Sequence, residues 1–324
     1  NSNRHDCEVS ALCSSDSLTH FTVMSVAVFK DLDKAAKDLI SKGFPTDTHG
    51  FEIEGGADVK FKTTATHTAK GLDALFETTK AITERGITIK ATAKADKGSP
   101  AYGVEVAYEP KAVEGLKVTF NSDCTAVEQK QVDTNKVTVL YKRGSILTVE
   151  ESFAYTKGKL TVSSALSAAY QAVRAGASAL ATLTHGEEQK TELDAYGVKL
   201  GYVPNKNFAL FVSVDAKKQN VGASTTLYYK KDNTEAAGEV AFKVGADALK
   251  EVPKFSIALS HAVSDKTTLK AKLLTASPAV AFALKHQLSD ALSVTFASEC
   301  AHGCPKAEEA KATHKHGLSF NLKL

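Results

Sequence analysis

Phe208-Ala209-Leu210-Phe211-Val212-Ser213-Val214-Asp215-Ala216-Lys217 alternates its side chains with a period of two. In a strand, successive side chains point to opposite faces. Phe208, Leu210, Val212, Val214 and Ala216 then make one apolar face, while Ala209, Phe211, Ser213, Asp215 and Lys217 make a more polar one. The rhythm recurs along the chain. Ile87, Ile89, Ala91 and Ala93 stand against Thr88, Lys90, Thr92 and Lys94. Val118 and Phe120 stand against Lys117, Thr119 and Asn121, and Leu269, Ala271 and Leu273 against Lys270 and Lys272. A soluble sandwich turns its apolar face into a core. A membrane β-barrel reverses this, with apolar residues toward lipid and polar ones lining a lumen. Alternation alone does not choose between the two.

Bulk properties narrow the choice. The 324 residues carry 40 basic and 37 acidic side chains, so bulk charge gives no nucleic-acid partner. No run approaches the ~18–20 consecutive apolar residues of a membrane helix. The Ala-rich stretch from Ala165 to Leu183 is broken by Gln171, Arg174 and Gly176. Residues 1–23 lack periodicity, a basic start and an apolar run, and the only Met is Met24. The expectation is that Met24 is the natural start and 1–23 a translated upstream leader, with a cleaved targeting segment as the alternative.

Residues 24–50 read as a helix and hinge. Leu32, Ala35, Ala36, Leu39 and Ile40 form a stripe at helical spacing, with Lys34, Lys37, Asp38 and Lys42 on the other face. Asp31 or Ser25 is the expected cap, and Gly43 followed by Pro45 the stop. So short a helix needs a surface to lie on. Residues 51–324 read as strand after strand, with turns at Arg143-Gly144, Lys157-Gly158, Pro204-Asn205 and Asp232-Asn233. Uniform segments of about ten residues suit a tilted bilayer crossing. The expected fold is all-β: a transmembrane antiparallel β-barrel of about 19 strands, with the helix inside the pore. Eighteen strands remain the alternative if Phe51–Glu54 is too short to pair.

The chain ends Lys315-His316-Gly317-Leu318-Ser319-Phe320-Asn321-Leu322-Lys323-Leu324. Lys315, Gly317, Phe320 and Leu322 give a polar-x-Gly-x-x-apolar-x-apolar strand that resembles the sorting signal of mitochondrial outer-membrane β-barrels. Phe29-Lys30-Asp31-Leu32-Asp33-Lys34-Ala35-Ala36-Lys37-Asp38-Leu39-Ile40-Ser41-Lys42-Gly43-Phe44 resembles the N-terminal helix of the voltage-dependent anion channel, the mitochondrial porin. Gly115-Leu116-Lys117 and Tyr196-Gly197-Val198-Lys199-Leu200-Gly201-Tyr202 are similar to strand elements of that family.

The resemblance implies a voltage-gated, weakly anion-selective channel of the mitochondrial outer membrane. It would pass ATP, ADP, phosphate and small metabolites, contact membrane lipids and be inserted by the barrel-insertion machinery. A homo-oligomer stays open, and no cofactor is implied. Carried over by position, Lys34, Lys37, Lys42 and Asp38 would be pore-helix charges, and Lys117 a nucleotide contact. The alternation adds Lys90, Lys94, Lys199, Lys217, Lys270 and Lys272 as lumen cations, with Asp215 and Glu239 among them. For each lysine, an ordinary solvated face is the plain alternative.

Two departures stand out. The hinge Gly43-Phe44-Pro45-Thr46-Asp47-Thr48-His49-Gly50 contains a Pro, which restricts its own and its neighbour's backbone. The family's lipid-facing Glu falls at Ala91 here, so partner binding through that acid does not transfer.

Cys300-Ala301-His302-Gly303-Cys304 offers soft ligands, but its spacing is not that of a zinc site, and a loop is expected. No catalytic set or phosphate loop appears, so no enzyme activity is expected. The competing functions are a protein-import pore of the same barrel family and a soluble β-rich binding module.

Overall fold

The computed structural model describes residues 26–68, 71–96, 99–127, 130–185, 190–218, 220–244, 252–275, 279–301 and 313–324. Residues 1–23, Ser25, His302 and Cys304 lie outside them.

Each alternating run forms a strand. In order these are β1 Thr48–Gly55, β2 Val59–Thr68, β3 Gly71–Ile82, β4 Ile87–Asp96, β5 Ser99–Tyr108, β6 Leu116–Val127 and β7 Lys130–Arg143. There follow β8 Leu147–Thr156, β9 Lys159–Tyr170, β10 Val173–Thr184, β11 Lys190–Asn205, β12 Phe208–Lys217 and β13 Asn220–Lys231. The last are β14 Thr234–Val244, β15 Lys254–Ser264, β16 Thr267–Leu274, β17 Ala279–Gln287, β18 Leu292–Ala301 and β19 Thr313–Lys323.

Every strand pairs antiparallel with its sequence neighbours, and β1 pairs with β19 to close a 19-stranded barrel. An odd number of alternating strands brings the first and last in the same direction. The seam is therefore parallel, from His49 opposite Leu318 to Glu54 opposite Lys323. The 18-strand alternative falls: β1 starts at Thr48, ahead of the expected Phe51, and pairs along its whole length. Gly50, expected in the hinge, is therefore a β1 residue, opposite Thr66 and Ser319.

The two faces are inverted relative to a soluble protein. Tyr196, Val198, Leu200 and Tyr202 are half-exposed on the outside, whereas Lys199 between them is 4% exposed. Ser213 and Thr226 are buried inside, while Val212 and Leu227 face out. So extensive an apolar belt exceeds anything a soluble monomer leaves uncovered. It is the lipid face of a transmembrane barrel. Among the described residues no helix is long and apolar enough to cross a membrane, and the crossing is made by strands.

Polar groups interrupt the belt, among them His316, stacked on Phe296. Glu151, midway along β8, shares the face of Phe153 and accepts a 2.6 Å hydrogen bond from Ser164 Oγ on β9. Ala91 also faces outward, on the exposed side of β4 with Ile89.

Candidate functional site: the N-terminal segment and the lumen wall

The N-terminal segment runs along the inner wall as a belt with four attachments. At its start, Val26 is 1% exposed and its carbonyl accepts a 2.9 Å hydrogen bond from Thr148 Oγ1 on β8. A 3₁₀ turn, Phe29–Asp31, comes next. Its Phe29 ring and Leu32 fill hollows in the wall. A Cβ added to Gly176 would sit 2.8 Å from Phe29 and 2.9 Å from Leu32, and one added to Gly197 would sit 3.2 Å from Phe29. Glycine on two adjacent strands, β10 and β11, makes the depression.

Beside it lies a buried ion pair. Lys199 Nζ stands 2.8 Å from Asp33 Oδ1 and 4.9 Å from the centre of the Phe29 ring. Lys37 Nζ stands 2.8 Å from Asp33 Oδ2. Burial by itself would raise the Asp33 carboxyl. The hydrogen bonds and charges of Lys199 and Lys37 outweigh it and hold the group below its ordinary value.

Helix α1, Lys34–Ser41, follows. Its Ala36, Leu39 and Ile40 pack on Ala237 of β14, Ala258 of β15 and the ring of Tyr228 on β13. Ala258 alternates with the outward Ile257 and Leu259, which places the helix inside the barrel. The predicted stripe holds at Ala36, Leu39 and Ile40, but Ala35 is exposed and Asp33 takes the buried position. Asp31 does not cap the helix. Asp33 is the N-cap residue, without a capping side-chain bond, because its carboxylate is turned to the two lysines.

The last attachment is the hinge. Gly43 adopts φ +86° and lies under Lys270 of β16, whose Nζ would be 2.9 Å from an added Cβ. Lys272 Nζ sits 4.6 Å from the centre of the Phe44 ring and 3.9 Å from Glu299. Pro45 rests on Gly317 of β19, where an added Cβ would fall 1.4 Å from the Pro45 carbonyl oxygen. Lys315 pairs with Asp47 at 2.9 Å, and the Asp47 N–H donates to the His316 carbonyl. Phe320 and Leu322, on the opposite face from Gly317, point outward with Phe51 and Ile53 of β1.

The remaining predicted cations also face inward, but not as a bare positive wall. Lys90 pairs with Glu77, and Lys117 with Glu109 at 2.9 Å. Lys34 lies 3.7 Å from Asp31, and Lys42 is 3.0 Å from Asp38. Lys94 and Lys217 are exposed to the lumen. Lys199, expected as an anion contact, lies inward but beneath the segment, its charge already paired. Asp215 and Glu239 join Lys37, Lys243 and Lys254 around a cavity of about 300 Å³ beside the helix.

Among the described residues no group of three or more His, Cys, Asp or Glu could hold a metal ion. Cys300 lies near the end of β18, opposite His314. Sequence reading missed Asp33, Gly176, Gly197 and Thr148. The signal for Asp33 was there: Phe29, Asp33, Ala36 and Ile40 fall at i, i+4, i+7 and i+11, so the acid sits in the apolar stripe.

Comparison with known proteins adds the family. The family described as eukaryotic porin matches residues 26–315. No curated protein matches the chain. Among solved structures, the translocation pore of the P pilus usher PapC aligns at 10% identity with a TM-score of 0.37. That alignment covers 81% of this chain and 59% of the usher chain, so this chain spans less than two thirds of the usher's length.

Proposed function

Since the chain belongs to the eukaryotic porin family, a family of outer-membrane channels for small solutes, we propose that it is the voltage-gated, weakly anion-selective type. The proposed setting is the mitochondrial outer membrane, and the cargo ATP, ADP, phosphate and other small anionic metabolites. The observation that carries this reading is a short, lysine-bearing helix held along the inner wall of a closed barrel. Such a segment narrows the lumen while seated, and displacement from the wall would obstruct it.

Selectivity in a wide pore comes from lining charge rather than from a dehydrating filter. Here the lumen cations are interleaved with acids. Several lysines are neutralised in place, notably Lys90 by Glu77, Lys117 by Glu109 and Lys199 by Asp33. The surplus rests on residues such as Lys217 and Lys270. Screening over ~8 Å at physiological salt confines their effect to a modest preference for anions. The terminal strand supplies the sorting signal for the insertion machinery. Its Gly317 is covered by Pro45, and its Lys315 is paired with Asp47 while staying partly exposed, so the hinge closes over the glycine of the signal.

The test is single-channel recording of the purified protein in a planar bilayer across a KCl gradient. A large conductance, a mild anion preference and partly closed states at high voltage of either sign are expected. A cation-selective pore would overturn the assignment in favour of protein import.

A further inference from the structure

Resting on the channel reading, we infer that Lys199 and Asp33 are a latch that positions the gate: their ion pair sets how much voltage is needed to unseat the N-terminal segment. The argument starts from how the segment is held. Its downstream end is continuous with β1 and strapped to β16 and β19 through Gly43, Phe44, Pro45 and Asp47. The helix itself offers the wall only Ala36, Leu39 and Ile40, a small apolar contact. Among the described residues the upstream end, by contrast, is held by non-covalent contacts: the Thr148 bond to Val26, the Phe29 and Leu32 rests over Gly176 and Gly197, the Lys199–Asp33 pair, and an exposed Lys30–Glu150 pair at 4.0 Å. If the segment moves, the upstream end lets go and the hinge is the pivot.

Within that end, the pair is the contact with the largest stake. Asp33 is 2% and Lys199 4% exposed, so water reaches neither group while the segment is seated. Lys199 Nζ also reaches the Phe29 carbonyl, at 3.5 Å, and stands over the Phe29 ring, so one side chain ties turn and helix together. Removing Asp33 leaves the buried Lys199 without a counter-charge, whereas removing Lys199 leaves Asp33 held by Lys37 alone, so the first loss is the costlier one. Replacing both with neutral groups is far milder for the same reason. Lys30 and Lys34, on the exposed side of the same stretch, are the charges a transmembrane field can pull. Seated against the wall, the segment leaves the lumen open, so loss of the latch favours the partly closed states.

The experiment compares the wild type with Asp33→Asn, Lys199→Met, the double variant and Lys199→Arg in planar bilayers. Asp33→Asn should raise the closed-to-open ratio at fixed voltage by about tenfold or more, and Lys199→Met should raise it by less because Lys37 still holds Asp33, with the conductance of the fully open state unchanged. The double variant should fall well short of the product of the two singles, which identifies the pair as the coupled unit. Lys199→Arg should stay near wild type. In parallel, limited trypsin digestion of each barrel in detergent should cut after Lys30 or Lys34 faster in the singles. Asp33→Asn changes no residue of the barrel wall, so it carries the test even if Lys199→Met fails to insert. A wild type that closes with voltage, alongside singles that close and digest like it, would refute the latch alone. A wild type that never closes at any voltage would refute the gated-channel reading on which the latch rests.

Discussion

At the residue scale, glycine marks where backbone meets wall, and the cost of filling each one can be ranked by distance. Gly317 has no room at all, since a Cβ there would overlap the Pro45 carbonyl. That oxygen belongs to the backbone of a hinge tied down by Lys315 and Lys270, so it cannot rotate away as a side chain would. Gly317→Ala should destabilise the barrel by about 1–3 kcal/mol or lift the hinge off β19. Gly222 on the same inner face is the control. The nearest atom to its added Cβ is the Phe242 carbonyl oxygen at 3.8 Å, an ordinary contact. Gly222→Ala should change stability by no more than about 0.5 kcal/mol. Urea unfolding of both variants in lipid vesicles checks the contrast, and equal effects would show that the hinge contact is soft.

At the element scale, the question is what the helix does for the barrel. All nineteen strands are paired to neighbours without it, and its apolar contact is confined to β13, β14 and β15. Deleting residues 26–42 should therefore leave a barrel that inserts and conducts. The deletion removes Lys30, Lys34, Lys37 and Lys42 together with Asp31, Asp33 and Asp38, so even with Lys199 uncovered the lumen loses one net positive charge, and anion preference should fall slightly while voltage closure is lost or strongly altered. Bilayer recording reads both, and unchanged closure probability at high voltage would remove the helix from the gating mechanism. The strands were legible because period-two alternation survives whichever face meets water, and the helix because its stripe has period 3.6. What the sequence hid were departures from those periods. Asp33 breaks the stripe by one charged residue whose partner lies 166 positions away. Glu151 breaks the lipid face in the same way, compensated by a serine on the next strand. Gly50 read as hinge because Gly43 and Pro45 sit just before it, yet its neighbours on both sides are strands that only the closed barrel brings together.

At the scale of the whole molecule, closure is the step that local pattern cannot specify. Nineteen strands force one parallel seam, and parallel pairing is slightly weaker per residue than antiparallel pairing. The seam is also short. It aligns six residue pairs between β1 and β19, whereas β10 and β11 align twelve. Its supports are few: the Asn321 amide donates to Glu52 at 2.5 Å, the Leu324 N–H donates to the Glu54 carbonyl, and Lys315 pairs with Asp47. Two of these lie at the ends of the seam, where fraying starts. Opening here breaks one ladder, whereas opening anywhere else breaks a longer antiparallel one. Amide exchange followed by mass spectrometry in nanodiscs should therefore find β1 and β19 exchanging first, and β10 and β11 among the last. Removing the Asn321 contact with Asn321→Ala should speed exchange at the seam and leave β10–β11 unchanged. Uniform protection around the whole barrel would mean that the hinge strap makes up for the weaker pairing, so that the belt fastened across β16 to β19 works as the clasp of the barrel as well as the pivot of its gate.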